Sequence, residues 1–238
     1  MATFILIHGA WHGGWCWERV APLLRDQGHE VVCPDLPGMD PDQSPLGDDP
    51  IDEWAHFVAE LASRARQPVI LVGHSRGGLV ISEAAERVPD AIDCLVYLAA
   101  FLLQSGQSLA DVANRYPEVG PGPLIKRAAD PSRLIIDANA AMPIFYNLTD
   151  EEDAKAASRR LTPEPLASMV TRLRISNERF GRLPRAYIEC VHDRAVSLEM
   201  QREMEAALPC EPVITLSCDH SPFYSAVPEL VAAFLSLV

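Results

Sequence analysis

The sequence predicts an α/β fold in which a mostly parallel, doubly wound sheet is covered by helices on both faces. Short apolar or β-branched runs alternate with helix-forming stretches, and this alternation stops near residue 101 and resumes near residue 184. In addition, 238 residues with 48% hydrophobic content are enough to bury one sizeable core. We therefore expect one sheet-based domain that carries an insertion.

Predicted strands and helices alternate in both outer parts of the chain. The strands lie at residues 4–7, 30–33, 69–72, 94–98, 186–191 and 212–216. The helices lie at residues 20–25, 51–65, 79–87, 198–208 and 230–237. Because the carboxyl ends of parallel strands lie along one edge of a sheet, the residues that follow several of these strands should meet there. They are Gly9, Asp35, Ser75, Asp193 and His220.

The stretch between these two parts has a different pattern. A Pro- and Gly-rich segment at residues 116–123 is followed by helix-favouring segments at 150–160 and 163–174. We interpret residues 101–183 as a helical cap inserted into a core domain that consists of residues 1–100 and 184–238. An irregular loop is predicted at residues 37–45.

Composition and charge exclude several classes of partner. The formal net charge of −13 repels nucleic acid and anionic lipid, which bind through clusters of Lys and Arg. Residues 1–7 have no basic region followed by a long apolar one, and we expect a cytoplasmic protein without a membrane segment. The six cysteines show no C-x-x-C spacing, and His8 and His12 are separated by loop sequence, so neither a disulfide framework nor a metal site is expected.

A candidate nucleophile follows the third predicted strand. Ser75 lies between Gly73 and Gly77 in a Gly-x-Ser-x-Gly pattern, directly before a helix-forming stretch. In such an elbow the chain turns so sharply that side chains two positions either side of the serine would collide, which explains the two glycines. The amino end of the helix favours the negative charge that develops in acyl transfer.

A serine hydroxyl needs a base, and the base needs a group that holds its tautomer. His220 follows the last predicted strand, and Asp193 follows the strand before it, which gives the chain order Ser, Asp, His. Asp219 is the rival carboxylate, but adjacent residues rarely reach each other's side chains in the required geometry. We expect Asp219 to brace its loop through backbone N–H groups instead.

Two backbone N–H groups are candidates for an oxyanion hole. One belongs to Arg76, the residue after the serine, and the other to Ala10, in the Gly-containing segment after the first strand. The Arg76 side chain is expected to be solvated or paired with a nearby acid such as Glu83, with the binding of an anionic substrate as a further option.

Taken together, these residues resemble the α/β-hydrolases, in the branch that holds plant methyl esterases, including the salicylic-acid-binding esterase, hydroxynitrile lyases and bacterial esterases akin to pyrethroid hydrolases. The resemblance covers nearly the whole chain. It is carried by His8-Gly9-Ala10, His12-Gly13-Gly14-Trp15-Cys16-Trp17, Gly73-His74-Ser75-Arg76-Gly77-Gly78, Tyr97-Leu98-Ala99-Ala100-Phe101 and Glu178-Arg179-Phe180-Gly181. Lyases of this branch have threonine at the position of Gly9 and lysine at that of Ser221, so the departure favours ester hydrolysis.

Because these groups converge on one sheet edge, we expect a serine carboxylesterase that acts through an acyl-enzyme, with a small-molecule ester as its partner and no cofactor. The apolar and aromatic residues of the cap predict small to medium apolar or aromatic esters, and the resemblance is compatible with a homodimer. Two alternatives remain open, a hydroxynitrile lyase-type C–C lyase and a non-catalytic small-ligand-binding homologue. The residues expected to bind substrate, which could equally be ordinary cap packing, are Gly9, His12, Phe101, Met142, Phe145 and Tyr146.

Overall fold

The computed structural model of the chain describes residues 1–39 and 45–238. In these residues the strands are β1 (Thr3–Ile7), β2 (Glu30–Val32), β3 (Val69–His74), β4 (Cys94–Leu98), β5 (Ile125–Arg127), β6 (Arg133–Ile136), β7 (Glu164–Pro165), β8 (Arg185–Cys190) and β9 (Val213–Leu216). The α-helices are α1 (Ala21–Asp26), α2 (Pro50–Arg64), α3 (Gly77–Arg87), α4 (Leu109–Ala113), α5 (Ala138–Phe145), α6 (Glu151–Ser158), α7 (Leu166–Val170), α8 (Leu198–Ala207), α9 (Pro222–Ser225) and α10 (Val227–Leu235).

Six strands form one parallel sheet in the order β2-β1-β3-β4-β8-β9. The chain starts in β1, next to the edge of the sheet, moves outward to the edge strand β2 and then returns across β1 to add β3, β4, β8 and β9 in turn. The predicted α/β fold with a doubly wound parallel sheet is therefore confirmed, and each predicted strand of the two outer parts agrees with an observed one to within two residues at either end.

Both faces of the sheet are buried, because side chains of a strand alternate between its two faces. In β3, Val69 and Leu71 belong to the apolar core on one face, whereas Ile70 and Val72 belong to the core on the other. This double burial explains why the sequence shows continuous apolar runs rather than an alternation with polar residues.

The insertion between β4 and β8 contains helices α4 to α7 and also a small antiparallel sheet, β5-β6-β7, that the sequence pattern did not predict. Its strands are only two to four residues long, which is too short to produce a recognisable period. Trp11 of the core packs in a common apolar cluster with Leu134, Phe145 and Met169 of the insertion, so the two parts share one of the apolar clusters of the molecule. Of the loop predicted at residues 37–45, residues 40–44 lie outside the described residues.

The longest helix, α2, has 15 residues. Among the helices of residues 1–39 and 45–238, none has the length and apolar character needed to cross a bilayer.

Candidate active site

Ser75 lies at a strained turn between β3 and α3. Its φ of +53° is in the left-handed region, which a residue other than glycine adopts only at a cost and typically at functional sites. A Cβ at Gly73 would lie 2.7 Å from the carbonyl oxygen of Gly77, and a Cβ at Gly77 would lie 2.9 Å from the carbonyl oxygen of His8. The steric reason expected for the two elbow glycines is thus confirmed.

His220 and Asp193 are in direct contact. Nδ1 of His220 lies 2.7 Å from Oδ2 of Asp193, and both residues are buried. The second carboxylate oxygen of Asp193 accepts the backbone N–H groups of Ala195 at 2.7 Å and Val196 at 2.9 Å, and Gln201 donates to Oδ2 at 3.4 Å. These bonds fix the orientation of the carboxylate. Because Nδ1 of His220 is bonded to Asp193, Nε2 is the ring nitrogen that could exchange a proton with the serine.

The His220 ring lies beside the serine elbow. Its centroid is 4.5 Å from that of His74, whose Nε2 lies 2.8 Å from the carbonyl oxygen of His220. The Phe145 ring, which also lies against the space above Ser75, is 5.7 Å from the His220 ring. Ser75, His220 and Asp193 are therefore gathered at the carboxyl edge of the sheet.

Asp219 has a different set of partners. Its Oδ2 accepts the N–H groups of Leu148 and Thr149 and the Thr149 hydroxyl at 2.8 to 3.0 Å. Its Oδ1 accepts the N–H of Ser221 at 3.0 Å and the hydroxyl of Ser225 at 2.6 Å. The expectation that this residue braces its loop is confirmed, and the bonds to residues 148 and 149 also tie the insertion to the loop that carries His220.

The Arg76 side chain is paired with an acid, which was one of the expected options, but the acid is Glu164 rather than Glu83, and the side chain is not solvated. The side chain is fully buried, and its Nε lies 3.0 Å from Oε1 of Glu164, which is also fully buried. Glu83 instead pairs with Arg87. Burial lowers the pKa of Arg76, and the charge of Glu164 opposes that effect. The sequence offered no signal for this pair, because 88 positions separate the two residues.

Two buried histidines flank the Ala10 segment as neutral rings. Desolvation by burial lowers the pKa of His8 to about 3 and that of His12 to about 4. The backbone N–H of Leu36 donates to Nε2 of His8, so the proton of that ring is on Nδ1, which donates to the Gly9 carbonyl at 2.9 Å. His12 is bonded through Nδ1 to the Ala10 carbonyl at 2.8 Å.

A cavity of about 340 Å³ lies above the serine and is predominantly apolar. Ser75, Arg76 and Ala10 contribute to its floor, which places the candidate nucleophile and both candidate oxyanion donors at one surface. The apolar wall is built largely from helix α4 and the segment after it, and Ala195, Val196 and Met200 contribute from the region around the start of α8. Wall residues that the sequence reasoning did not single out include Leu109, Tyr116, Val119, Ile125, Met169 and Met200.

Of the six residues predicted to bind substrate, Phe101 and Phe145 line this cavity. The other four, within the described part of the chain, are not among its lining residues: Gly9, His12, Met142 and Tyr146. Two of these four contact each other, since the Tyr146 hydroxyl lies 2.7 Å from Nε2 of His12. This part of the cavity wall could have been predicted from the sequence, because Tyr116 and Val119 are apolar residues inside an otherwise Pro- and Gly-rich segment.

Residues 1–39 and 45–238 contain no cluster of three or more His, Cys, Asp or Glu side chains arranged to hold a metal ion.

Residues 4–234 match the sequence model described as the alpha/beta hydrolase family, which covers nearly the whole chain. The chain belongs to the alpha/beta hydrolase family. Both the six-stranded parallel sheet and the placement of a serine elbow at its carboxyl edge agree with membership in this family.

Known members of the family that resemble the chain include several esterases. It is 30% identical to putative methylesterase 11, chloroplastic, of Arabidopsis thaliana over 98% of its length, and spans 63% of that protein. It is 30% identical to methylesterase 2 of the same plant, over 98% of this chain and 94% of that protein. The crystal structure of a pyrethroid hydrolase from Sphingobium faniae JZ-2 is 29% identical and superimposes with a TM-score of 0.87, over 99% of this chain and 96% of that one.

Proposed function

We propose that the protein is a serine carboxylesterase that hydrolyses small to medium apolar or aromatic esters through an acyl-enzyme. The observation that carries the proposal is the buried contact of 2.7 Å between His220 and Asp193 at the sheet edge that presents Ser75. Support also comes from the esterase names of relatives that are about 30% identical.

In the proposed reaction, Oγ of Ser75 attacks the ester carbonyl carbon while its proton passes to Nε2 of His220. Asp193 stabilises the resulting imidazolium through Nδ1, and the backbone N–H groups of Ala10 and Arg76 bind the oxyanion. The C–O bond to the alcohol then breaks, and the alcohol leaves with the proton from His220. Water attacks the acyl-enzyme with the same base, which releases the acid and restores Ser75.

The apolar cavity supports the proposed acyl preference. About 340 Å³ is near the lower end of the range of small-molecule sites, and its lining contains aromatic and aliphatic side chains such as Phe101, Phe145 and Leu109. Such a wall favours an apolar chain or a ring over a charged or strongly polar group, because a polar group would lose its hydration without a partner.

Gly9 argues against the lyase alternative. A Cβ at this position would lie 2.8 Å from Cβ of Ser75 and 3.0 Å from Nδ1 of His74, so the side chain of a threonine does not fit this backbone. The intact contacts of Asp193 with His220 argue against a binding protein that has lost its catalytic groups.

A fluorophosphonate probe tests the proposal directly, because it labels only an activated serine. We expect mass spectrometry to locate one adduct on Ser75, and we expect Ser75→Ala to lose the adduct and at least about 10³-fold of the activity on p-nitrophenyl butyrate. Ser63→Ala, on the exposed side of α2, is the matched control and should retain both. Near wild-type turnover by Ser75→Ala would refute the assignment, and cyanide release from mandelonitrile would favour the lyase.

A further inference from the structure

We propose that the buried ion pair between Arg76 and Glu164 positions the oxyanion-binding N–H of Ala10. Because Glu164 belongs to the inserted cap, the cap thereby helps to stabilise the transition state without contacting the substrate through this residue. The inference rests on the proposed function, since an oxyanion forms only if the protein performs acyl transfer. Arg76 and Glu164 are positioning residues in this scheme: their side chains act on the substrate through the backbone of residues 9 to 11.

The peptide between Gly9 and Ala10 is held through its carbonyl oxygen. Its carbonyl oxygen accepts hydrogen bonds from Nδ1 of His8 at 2.9 Å and from Nη2 of Arg76 at 3.2 Å. In a trans peptide the C=O and N–H groups point in opposite directions. Holding the Gly9 carbonyl against the Arg76 side chain therefore turns the Ala10 N–H away from that side chain, and Ala10 lines the cavity together with Ser75.

The next peptide, between Ala10 and Trp11, is held at both its carbonyl oxygen and its N–H. Its carbonyl oxygen is 2.8 Å from Nδ1 of His12, and its N–H donates to Oε2 of Glu164 at 3.1 Å. Trp11 has a φ of +60°, so the chain reverses here in a conformation that needs such support. The peptides on both sides of Ala10 are thus fixed, one by Arg76 and the other by Glu164.

The pair itself is held in one arrangement. Both side chains are fully buried, and besides the bond at 3.0 Å, Nη2 of Arg76 lies 3.4 Å from Oε2 of Glu164. The Ser168 hydroxyl donates to Oε1 of Glu164 at 2.6 Å. The guanidinium carbon of Arg76 lies 4.3 Å from the centroid of the Trp54 ring, which covers the group from the core side.

Two features distinguish this pair from ordinary structural ion pairs. The backbone N–H of Arg76 is itself the second candidate oxyanion donor, so one residue supplies one donor and orients the other. Glu164 lies in β7 of the insertion and is paired with Leu134 of β6, so the cap determines where the carboxylate stands. A shift of the cap would therefore alter the position of the Ala10 N–H without any change in the residues that touch substrate.

The test removes both charges together. Replacing a buried pair as a unit leaves no uncompensated charge in the core, so Arg76→Met combined with Glu164→Gln is expected to fold. In this double variant, residue 76 keeps its backbone N–H, and the amide oxygen introduced at position 164 can still accept the Trp11 N–H. What the variant loses is the bond from Arg76 to the Gly9 carbonyl and the charge that holds residue 164 in place.

We expect kcat on p-nitrophenyl butyrate to fall about 10- to 100-fold with KM changed less than about threefold, because the lost interaction matters only in the transition state. A trifluoromethyl ketone of the same acyl chain, which forms an oxyanion on the serine, should lose affinity in parallel with kcat/KM. The methyl ketone, which does not, should bind as to the wild type. Asp153→Asn breaks an exposed cap-to-core pair with Arg19 and is the matched control, with kcat unchanged.

Equal affinity of the wild type and the double variant for the trifluoromethyl ketone would overturn the inference, as would an equal loss of affinity for both ketones. If the double variant does not fold, Arg76→Lys serves instead: it retains a charge beside Glu164 but has a single, shorter donor, and the same divergence between the two ketones is expected. Retained activity in Ser75→Ala would refute the proposed function itself and is measured separately.

Discussion

The His220 imidazole and the Asp193 carboxylate meet at 2.7 Å although they are 27 positions apart in the chain. The strand β9 and its neighbour β8 end side by side, with Cys190 opposite Leu216, so the loops that follow them leave the sheet at the same place. Parallel pairing thus brings the two groups together without any local sequence relation between them.

Asp193→Asn should reduce kcat about 10³- to 10⁴-fold, because an amide can present its N–H₂ group to Nδ1 and favour the wrong imidazole tautomer. We expect the free energy of unfolding to change far less than activity, since Ala195 and Val196 can still donate to the remaining oxygen. Steady-state kinetics with p-nitrophenyl butyrate, together with urea unfolding, measure the two quantities. A loss of less than about tenfold would contradict the assigned role.

Asp219→Asn should do the opposite and mainly lower stability. Backbone N–H groups donate to both carboxylate oxygens, so either orientation of the amide places its N–H₂ group against a donor that cannot reverse. We expect a loss of about 2–3 kcal/mol in urea unfolding, while the fluorophosphonate still labels Ser75. Asp90→Asn, at a highly exposed residue, is the control and should change stability by less than about 0.5 kcal/mol.

Gly9→Ala should impair the elbow itself. The new methyl group would lie 2.8 Å from Cβ of Ser75, closer than side-chain carbons approach each other in proteins, so the serine or the Ala10 segment must move. We expect kcat to fall about 10- to 100-fold. Gly181→Ala, whose nearest atoms would be 3.3 Å away, is the comparison and should retain most activity. Unchanged kcat in Gly9→Ala would show that the elbow tolerates the extra carbon.

Ala113→Phe should shorten the acyl chain that the enzyme accepts. Ala113 ends helix α4 at the cavity wall, and a phenyl ring there would occupy part of the 340 Å³. We expect kcat/KM for p-nitrophenyl octanoate to fall at least about tenfold relative to that for the acetate. Ala207→Phe, on the exposed end of α8, should leave the ratio unchanged. If Ala113→Phe and Ala207→Phe gave the same ratio of octanoate to acetate kcat/KM, the acyl chain would not bind beside Ala113.

Stability should fall as the pH is lowered from about 6.5 towards 4. His8 and His12, with pKa values lowered to about 3 and 4, stay neutral in the folded protein, whereas in the unfolded chain they bind protons below about pH 6.5. The unfolded state then holds more protons, which lowers the free energy of unfolding by about 1.4 kcal/mol per pH unit for each histidine. Urea unfolding between pH 6.5 and 5 should give a shallower slope for His12→Gln than for the wild type. An equal slope would contradict this account.

The sequence predicted those parts of the molecule that depend on short-range pattern and on strand ends. The strands of the main sheet are apolar because both of their faces are buried, and Ser75, Asp193 and His220 were predicted as candidate catalytic residues because each follows such a strand. The partner of Arg76 could not be found in this way, because Glu164 lies in an insertion whose position over the sheet leaves no periodic trace. The wall around Tyr116 and Val119 was missed for a related reason, since a Pro- and Gly-rich segment carries no period that shows which side faces inward.

The bonds from Asp219 to residues 148 and 149, together with the bond from Glu164 to the Trp11 N–H, have a consequence for engineering. A chimaera that grafts another hydrolase's insertion onto this sheet would inherit new pocket walls but would remove both attachments at once. We expect such grafts to succeed only when the donor segment brings an acid to position 164 and backbone donors to the Asp219 carboxylate. Recombination that respects these two anchor points would exchange selectivity while preserving turnover.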